Sequence, residues 1–196
     1  MKSFEELLEV SVAENGHLCA GQVIGVRMAM LGLRLVGIED PNEKRSRKNL
    51  IVYVEIDRCA TDAIRSVTGC RLGRRSLKFR DFGINAATFV NIETGKAFRI
   101  VSTEESRALA DACAPEESGP YQRQLIGYQK MSDEELFRIE SVEVSLQDTE
   151  MPGPTRKKAT CLRCGQVVRD GREVVSGNEI LCRPCAGEAY FVRKNG

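Results

Sequence analysis

The chain has 196 residues, of which 42% are hydrophobic and 29% are charged, and its formal net charge is +1. This composition is typical of a globular protein with one medium domain and a small second one. The near-zero net charge excludes a strong global field that would attract nucleic acid or a membrane. Basic residues outnumber acidic ones from residue 155 onward and the reverse holds before it, which predicts a domain boundary near that point.

The N-terminal residues and the cysteines indicate a cytoplasmic protein. Glu5 and Glu6 are incompatible with the apolar part of a secretory signal. The apolar stretch 19–38 contains Arg27, Arg34 and four glycines, so we do not expect it to span a membrane. Eight cysteines without a secretory signal are typical of metal ligands or reactive thiols in a reducing compartment.

The hydrophobic pattern predicts an α+β core domain over residues 1–146, with helices packed on a mostly antiparallel sheet. Helices are expected at 3–13, 21–31, 61–68, 103–113, 121–131 and 132–137. Strands are expected at 50–56, 77–79, 86–92, 97–101 and 139–144. The first strand is apolar on both faces, which predicts a central position, and the charged segment 39–49 is predicted to be a loop.

The second predicted helix carries small residues four positions apart, namely Gly21, Gly25 and Ala29. An interior glycine costs a helix about 0.8–1 kcal/mol relative to alanine. Such a face is expected where another backbone comes very close. Tight packing against a neighbouring helix or sheet is the simpler interpretation, and a closely bound ligand is the alternative.

Four cysteines near the C terminus have the spacing of a zinc site. They form the pattern C-x2-C-x17-C-x2-C with Cys161, Cys164, Cys182 and Cys185. Each pair can present two thiolates from one tight turn, and four thiolates suit tetrahedral Zn²⁺. We therefore predict a structural zinc finger over residues 159–196, preceded by a linker at 147–158. An iron site or a redox-active dithiol pair is the alternative.

The sequence within the finger predicts a treble-clef arrangement. Two short apolar runs, 167–168 and 174–175, flank Asp170-Gly171 and are expected to pair as a hairpin. Residues 186–191 are expected to form a helix, whose N-terminal dipole would favour the thiolate form of the second cysteine pair.

One histidine and two cysteines of the core domain form a second candidate site. His17 is the only histidine in the chain, Cys19 follows it by two residues, and Cys59 follows the strand at 50–56. We predict that these three converge on a metal or reactive site, because imidazole and thiolates suit Zn²⁺ and other late first-row ions. Asp62, one helical turn from Cys59, is the candidate acid–base partner. The alternative is that the cysteines are ordinary packing residues.

A basic cluster follows the helix predicted at 61–68. Arg71, Arg74 and Arg75 lie beside Gly69 and Gly73, where backbone amides and guanidinium groups can approach an anion. This pattern predicts an anion or cofactor site, and a solvated basic face is the alternative.

Apolar residues in the segment 120–144 suggest a subunit interface. The segment has too few strong apolar positions to form a core alone, yet five of its large side chains need burial: Tyr121, Leu125, Ile126, Leu136 and Phe137. We predict that a neighbouring subunit of a homodimer covers them.

Several short runs rich in cysteine and glycine carry a resemblance to a known family. They are His17 to Gly21, Asp57 to Ile64, Thr68 to Gly73 and Cys185 to Glu188. These runs resemble the FmdE family, named for the E subunit of formylmethanofuran dehydrogenase, over almost the whole chain, with departures at Ala20 and Arg71. The resemblance implies an α+β core, a zinc-finger tail, a homodimer and a link to molybdenum- or tungsten-type one-carbon metabolism. It also supports a metal site at His17, Cys19 and Cys59.

Three functions are compatible with these features. The first is a metal-binding accessory protein that works with the subunits of a molybdo- or tungsto-enzyme. The second is a stand-alone metal- or thiol-dependent enzyme that uses His17, Cys19 and Cys59. The third is a nucleic-acid-binding regulator that uses the finger and the basic run 156–158, although such a short run is typical of a solvated linker. The chain has no dinucleotide fingerprint or P-loop. We favour the accessory role, and the sequence leaves open whether the protein is an enzyme.

Overall fold

A computed structural model describes residues 2–117 and 119–194. The chain divides into two compact units, Met1–Val144 and Ser145–Gly196. Met1, Asn195 and Gly196, at the outer ends of the predicted core and finger, lie outside the described residues. No helix among the described residues is both long enough and apolar enough to cross a membrane.

The helices of the first unit occupy the expected parts of the chain. They are α1 Phe4–Asn15, α2 Ala20–Leu35, α3 Ser46–Asn49, α4 Cys59–Thr68, α5 Glu104–Cys113, α6 Pro120–Lys130 and α7 Asp133–Leu136. Ser3 starts α1 with a capping box, because its hydroxyl accepts from the amide of Glu6 while the Glu6 carboxylate accepts from the amide of Ser3. The predicted loop at 39–49 is wrong at α3. Arg45 and Asn49 both donate to Glu93, and these tertiary contacts hold that turn.

The strands of this unit form one five-stranded sheet with the order β2-β1-β3-β4-β5. They are β1 Leu50–Val54, β2 Leu77–Phe79, β3 Ala86–Asn91, β4 Ala97–Ser102 and β5 Phe137–Ser141. β1 and β2 run parallel, and the other neighbours run antiparallel. The predicted α+β class with a mostly antiparallel sheet is therefore confirmed, and β1 is an interior strand as expected. β5 begins earlier than predicted because Phe137 already pairs with Ser102.

Helix α2 lies at the centre of this unit and has close backbone contacts on its small-residue face. A Cβ atom at Gly25 would lie 2.5 Å from the carbonyl oxygen of Ala60, and one at Gly32 would lie 2.3 Å from the ring of Phe89. The predicted close packing is confirmed at Gly25, and Gly32, just beyond the predicted helix, is packed equally closely. Gly25 allows α2 and α4 to touch, and Gly32 gives the Phe89 ring of β3 its place in the core.

Three of the apolar side chains expected at a subunit interface are covered by their own chain. Leu125, Leu136 and Phe137 are buried in the main hydrophobic cluster, together with residues of α2 and the sheet. The argument that these three side chains need a second subunit was wrong, because α6, α7 and the start of β5 pack onto the core of their own chain. Tyr121 is exposed, and its hydroxyl donates to the carbonyl oxygen of Leu18 at 3.2 Å.

The second unit is built from two short hairpins. β6 Lys158–Thr160 pairs with β7 Val167–Arg169, and β8 Val174–Ser176 pairs with β9 Glu179–Leu181. The predicted pairing of 167–168 with 174–175 is therefore wrong. The turn at Cys161 and Cys164 reverses the chain between β6 and β7, while Gly177, with φ of 59°, reverses it between β8 and β9.

The helix predicted at 186–191 does not form. After the second cysteine pair there is one turn, in which the amide of Ala186 donates to the carbonyl oxygen of Cys182 at 3.0 Å. Gly187 then adopts φ of 100°, a left-handed value that cannot continue an α-helix. The finger thus lacks the helix of the expected treble-clef arrangement.

Part of the segment predicted as a linker, 147–158, folds onto the finger. The amide of Arg156 donates to the carboxylate of Asp170 at 2.9 Å, and the carbonyl oxygen of Lys157 accepts from the amide of Asp170 at 2.8 Å. These bonds extend the first hairpin toward the N terminus of the unit.

Candidate metal centres

His17, Cys19 and Cys59 come together as predicted, with ligand atoms that all lie within 4.8 Å of one another. His17 lies in the connection between α1 and α2, Cys19 is the N-terminal cap of α2, and Cys59 is the first residue of α4. Cys59 is 40 positions from Cys19 in sequence, so only the packing of α2 against α4 brings the two thiols together.

Glycines of α2 make this approach possible. A Cβ atom at Gly21 would lie 3.2 Å from the Cβ atom of Cys59 and 3.6 Å from Sγ of Cys19. At Gly25, one turn further along, any side chain would collide with the backbone of Ala60. The small-residue face of α2 is therefore required for the thiol group as well as for the helix contact.

Buried Gln22 connects the three elements that carry the group. Its side-chain amide donates to the carbonyl oxygen of Cys59 at 3.2 Å, and its side-chain oxygen accepts from the hydroxyl of Ser11 on α1. Gln22 is fully buried, so its polar atoms depend on these two bonds. This residue ties α1 and α2 to the start of α4, and the sequence analysis missed it.

The histidine ring has a contact that orients it. The side-chain amide nitrogen of Asn15 lies 3.3 Å from Nδ1 of His17, at the C-terminal end of α1. A metal-binding histidine donates the N–H of its other ring nitrogen, so metal binding through Nε2 would require the Asn15 amide to present its oxygen to Nδ1.

Ionisation of the Cys19 thiol is disfavoured in this group. Burial raises the pKa of Cys19, and the neighbouring thiol of Cys59 raises it further, while the amides of Gln22 and Gly21 act in the opposite direction. A divalent cation between the sulfurs would remove this repulsion and stabilise both thiolates. The donor set of one imidazole and two thiolates fits Zn²⁺, and it leaves one position of a tetrahedral shell open.

A cavity of about 550 Å³ lies against this group. Its wall contains the first residues of α2, α4 and α5, the loop residues 83–85 and side chains from α5 and α6. The polar side chains that contribute to the lining include Arg58, Asn85, Glu104, Arg107, Gln124 and Tyr128. Cys19 and Cys59 are part of the same wall, so a metal held by them would face a space large enough for a small organic molecule.

The four cysteines of the finger form the second group. Their sulfur atoms all lie within 4.8 Å of one another, and Sγ of Cys164 is 3.7 Å from Sγ of Cys182. Sulfurs about 2.3 Å from a tetrahedral zinc ion are separated by roughly 3.8 Å, so this distance matches the edge of a zinc–thiolate tetrahedron. The predicted cluster is present, and its chemistry fits Zn²⁺.

The pKa values of Cys161 and Cys185 in the finger are shifted in opposite directions. Backbone amides, foremost that of Cys182, lower the pKa of Cys161 to about 6. The neighbouring sulfurs, foremost that of Cys182, raise the pKa of Cys185 to about 12. Cys185 is therefore a neutral thiol at pH 7 in the absence of a cation, and a bound cation would favour its thiolate form.

Other residues singled out in the sequence lie apart from both groups. Asp62 is exposed in the first turn of α4, and it is in neither the ligand group nor the cavity wall. Arg71, Arg74 and Arg75 lie in and around a single 3-10 turn, Leu72–Arg74, and they do not line the cavity.

Arg58, Arg107, Gln124 and Tyr128 were missed as candidate site residues. Arg58 directly precedes Cys59, and that adjacency was the only signal available for it. The other three come from α5 and α6, whose approach to the first two helices is not visible in the sequence.

Comparison with known proteins gives three findings. Residues 15–143 match the family model described as "FmdE, Molybdenum formylmethanofuran dehydrogenase operon". The chain is 28% identical over 200 residues to an Archaeoglobus fulgidus protein named "Probable S-adenosyl-L-methionine-binding protein". That match covers 93% of this chain and 53% of the relative, so the chain spans about half of the relative's length.

A solved structure has a similar fold. It is the crystal structure of an FmdE-like protein of the tungsten formylmethanofuran dehydrogenase type from Syntrophus aciditrophicus. The TM-score is 0.60 at 19% sequence identity, and the match covers 97% of this chain and 96% of the other. At this level of identity the likeness extends to the fold.

Proposed function

Because the chain belongs to the FmdE family, we propose that it is a metal-binding accessory protein of molybdenum- or tungsten-type one-carbon metabolism. In this role it works with the subunits of a molybdo- or tungsto-enzyme in the cytoplasm. The four-cysteine finger holds a structural zinc ion, and His17, Cys19 and Cys59 hold a second ion in the core.

The convergence of His17, Cys19 and Cys59, with both thiols on the wall of a cavity, carries this proposal. Four protein ligands in the finger leave no open position, whereas three in the core leave one. A zinc ion bound there would supply a Lewis acid facing the cavity. The chain's own contribution is the placement of the ligands, in which Gln22 fixes the start of α4 and Asn15 orients the histidine. The alternative is that the protein is itself an enzyme that uses these three residues.

Metal content of the full-length chain tests the proposal. We expect two zinc ions per chain by elemental analysis after purification without chelators. His17→Ala and Cys59→Ser should each leave one ion, and so should Cys161→Ser, because each variant removes a ligand from one group only. Cys113→Ser changes a thiol outside both groups and should keep two. A wild-type chain with one ion, unchanged in His17→Ala, would show that the core group is not a metal site.

We also propose a homodimer and an association with the enzyme subunits. Exposed apolar side chains at Leu72, Phe79 and Phe82, on and beside the edge strand β2, offer a surface for such contacts. Light scattering at micromolar concentration should give twice the mass of one chain. Purification from the native host should recover the enzyme subunits. A monomer mass would reject the dimer, and recovery of the chain alone would reject the association.

Binding of S-adenosyl-L-methionine is a second candidate function. The name of the A. fulgidus relative and the volume of the cavity favour it, since 550 Å³ lies within the usual range for small-molecule sites. Equilibrium dialysis of the full-length chain against the labelled compound measures this binding. Retention no greater than that of bovine albumin would exclude it.

A further inference from the structure

We propose that the core cavity binds an organic carboxylate, with Arg58 as the positively charged partner of its carboxylate group. The inference rests on the proposed metal-binding function, because it concerns what occupies the space that Cys19 and Cys59 line. It adds the chemical class of the ligand.

The charges on the cavity wall favour an anion. Arg58 and Arg107 contribute two positive charges, and Glu104 is the only acidic residue among the described lining residues. Glu104 is already paired, since its carboxylate lies 3.2 Å from Arg107. Arg58 is exposed and makes no ion pair with any described residue, so a ligand carboxylate would replace water at its guanidinium group.

The charge of the metal site supports the same conclusion. A zinc ion with two thiolates and a neutral imidazole has no formal net charge. A carboxylate that completes the shell would therefore leave one negative charge, which the adjacent residue Arg58 can balance.

Uncharged polar groups provide further hydrogen-bond donors. The side-chain amides of Asn85 and Gln124 have no hydrogen-bond partner among the residues that the structure describes. The N-terminal turn of α4 lines the same space through Cys59 and Ala60. These groups match the oxygen acceptors of a carboxylate.

The apolar part of the cavity wall favours a ligand that also has an apolar group. Ile24, Ile56 and Ile84 line the cavity together with the ring of Tyr128. A volume of about 550 Å³ exceeds the roughly 30 Å³ that one water molecule occupies in the liquid, so an inorganic anion alone would fill little of it. A carboxylate attached to an apolar or aromatic group satisfies both kinds of surface.

Benzoate and its neutral isostere benzamide are suitable probes. We expect benzoate to bind the zinc-loaded full-length chain in calorimetric titration, and benzamide to bind at least tenfold more weakly. Arg58→Gln should weaken benzoate binding about tenfold, the effect of losing one hydrogen bond to a charged group, and leave benzamide unchanged. Arg47→Gln, which removes an exposed arginine outside the cavity, is the matched control and should bind benzoate like wild type.

The same samples separate this inference from the proposed function. We expect the visible absorption of cobalt in the core group to change when benzoate binds. The spectrum of the cobalt-loaded His17→Ala variant is subtracted first, because it contains only the absorption of the finger site. If the chain holds two ions but binds benzoate and benzamide equally, the carboxylate inference alone is overturned. The same holds if the chain holds two ions and Arg58→Gln does not change benzoate binding. One ion per chain and no benzoate binding would overturn both.

Discussion

The two metal-ligand groups of this chain are assembled in opposite ways. In the finger, each cysteine pair lies within four residues, and the described hydrophobic cluster has three buried side chains, two of which are cysteines. In the core, Cys19 and Cys59 lie at the starts of two different helices, α2 and α4. Both helices are held by a large apolar cluster that also includes residues of the sheet and α6. The ligands of the finger are thus part of its own small core, whereas the ligands of the other group lie on a domain that apolar packing already holds.

This contrast predicts different responses to metal loss. A unit with so little buried apolar surface depends on metal binding for its folding free energy. The folding free energy of the core unit comes mainly from the burial of apolar side chains. This unit should therefore stay folded when no metal is bound to His17, Cys19 and Cys59.

The largest expected effect is loss of the finger fold in Cys182→Ser. Binding of structural zinc contributes about 10–16 kcal/mol in small zinc modules, and a missing thiolate removes most of it. Trypsin should then cut between 158 and 194 within minutes, while the core keeps its thermal midpoint. Cys113→Ser should remain resistant to trypsin. A Cys182→Ser chain as resistant as wild type would show that the finger folds without its metal and remove the contrast.

The next effect is expected at Gly25, where the core group depends on packing. Gly25→Ala places a methyl group 2.5 Å from the carbonyl oxygen of Ala60, so α2 and α4 must separate. We expect the free energy of unfolding in urea to fall by about 3 kcal/mol, the upper part of the range for overpacked cores. The core ion should be lost and the finger ion retained.

Gly73→Ala is the control for this change, because an added Cβ atom there has no neighbour within 4 Å. Its stability and metal content should match wild type. Two ions in Gly25→Ala would mean that the ligand group tolerates a wider helix spacing than the structure indicates.

A smaller effect with a pH signature is expected at Asp133, which links α7 to α2. Its carboxylate accepts from Arg27 at 2.8 Å and from Arg34 at 2.7 Å. Burial raises the pKa of Asp133, but the two guanidinium groups outweigh it, and the pKa lies below its ordinary value. The carboxylate therefore stabilises the fold above the unfolded pKa of about 3.9, and this stability disappears as the pH falls through the folded value.

Asp133→Asn should lower the free energy of unfolding by about 1–2 kcal/mol at pH 7, and the difference should shrink below about pH 4. Asp111→Asn, which alters a more exposed pair at 3.5 Å, should change it by less than about 0.5 kcal/mol. Urea titrations at several pH values measure both. A difference that is constant down to about pH 3 would show that ionisation of Asp133 is not its source.

Several elements could be predicted because their signals are local. The capping box of Ser3 and Glu6 starts α1 where expected, and the β-branched run at residues 50–54 forms an interior strand. α3 and the pairing of the finger strands could not be predicted in this way. α3 depends on hydrogen bonds to Glu93, which lies 44 or more positions away in the sequence. The finger strands have three residues each, which is too short for the alternation of apolar and polar residues to indicate the partner strand.

The sequence by itself identified the four-cysteine group of the finger, because two thiols three residues apart can reach one ion from a single turn. It also indicated His17, Cys19 and Cys59 as a group. Their meeting was decided by the tertiary structure, since the glycines of α2 let α4 approach and buried Gln22 fixes its first residue. The cavity with Arg58, Gln124 and Tyr128 was likewise decided by packing, because α4, α5 and α6 reach one space only after the helices and the sheet have joined.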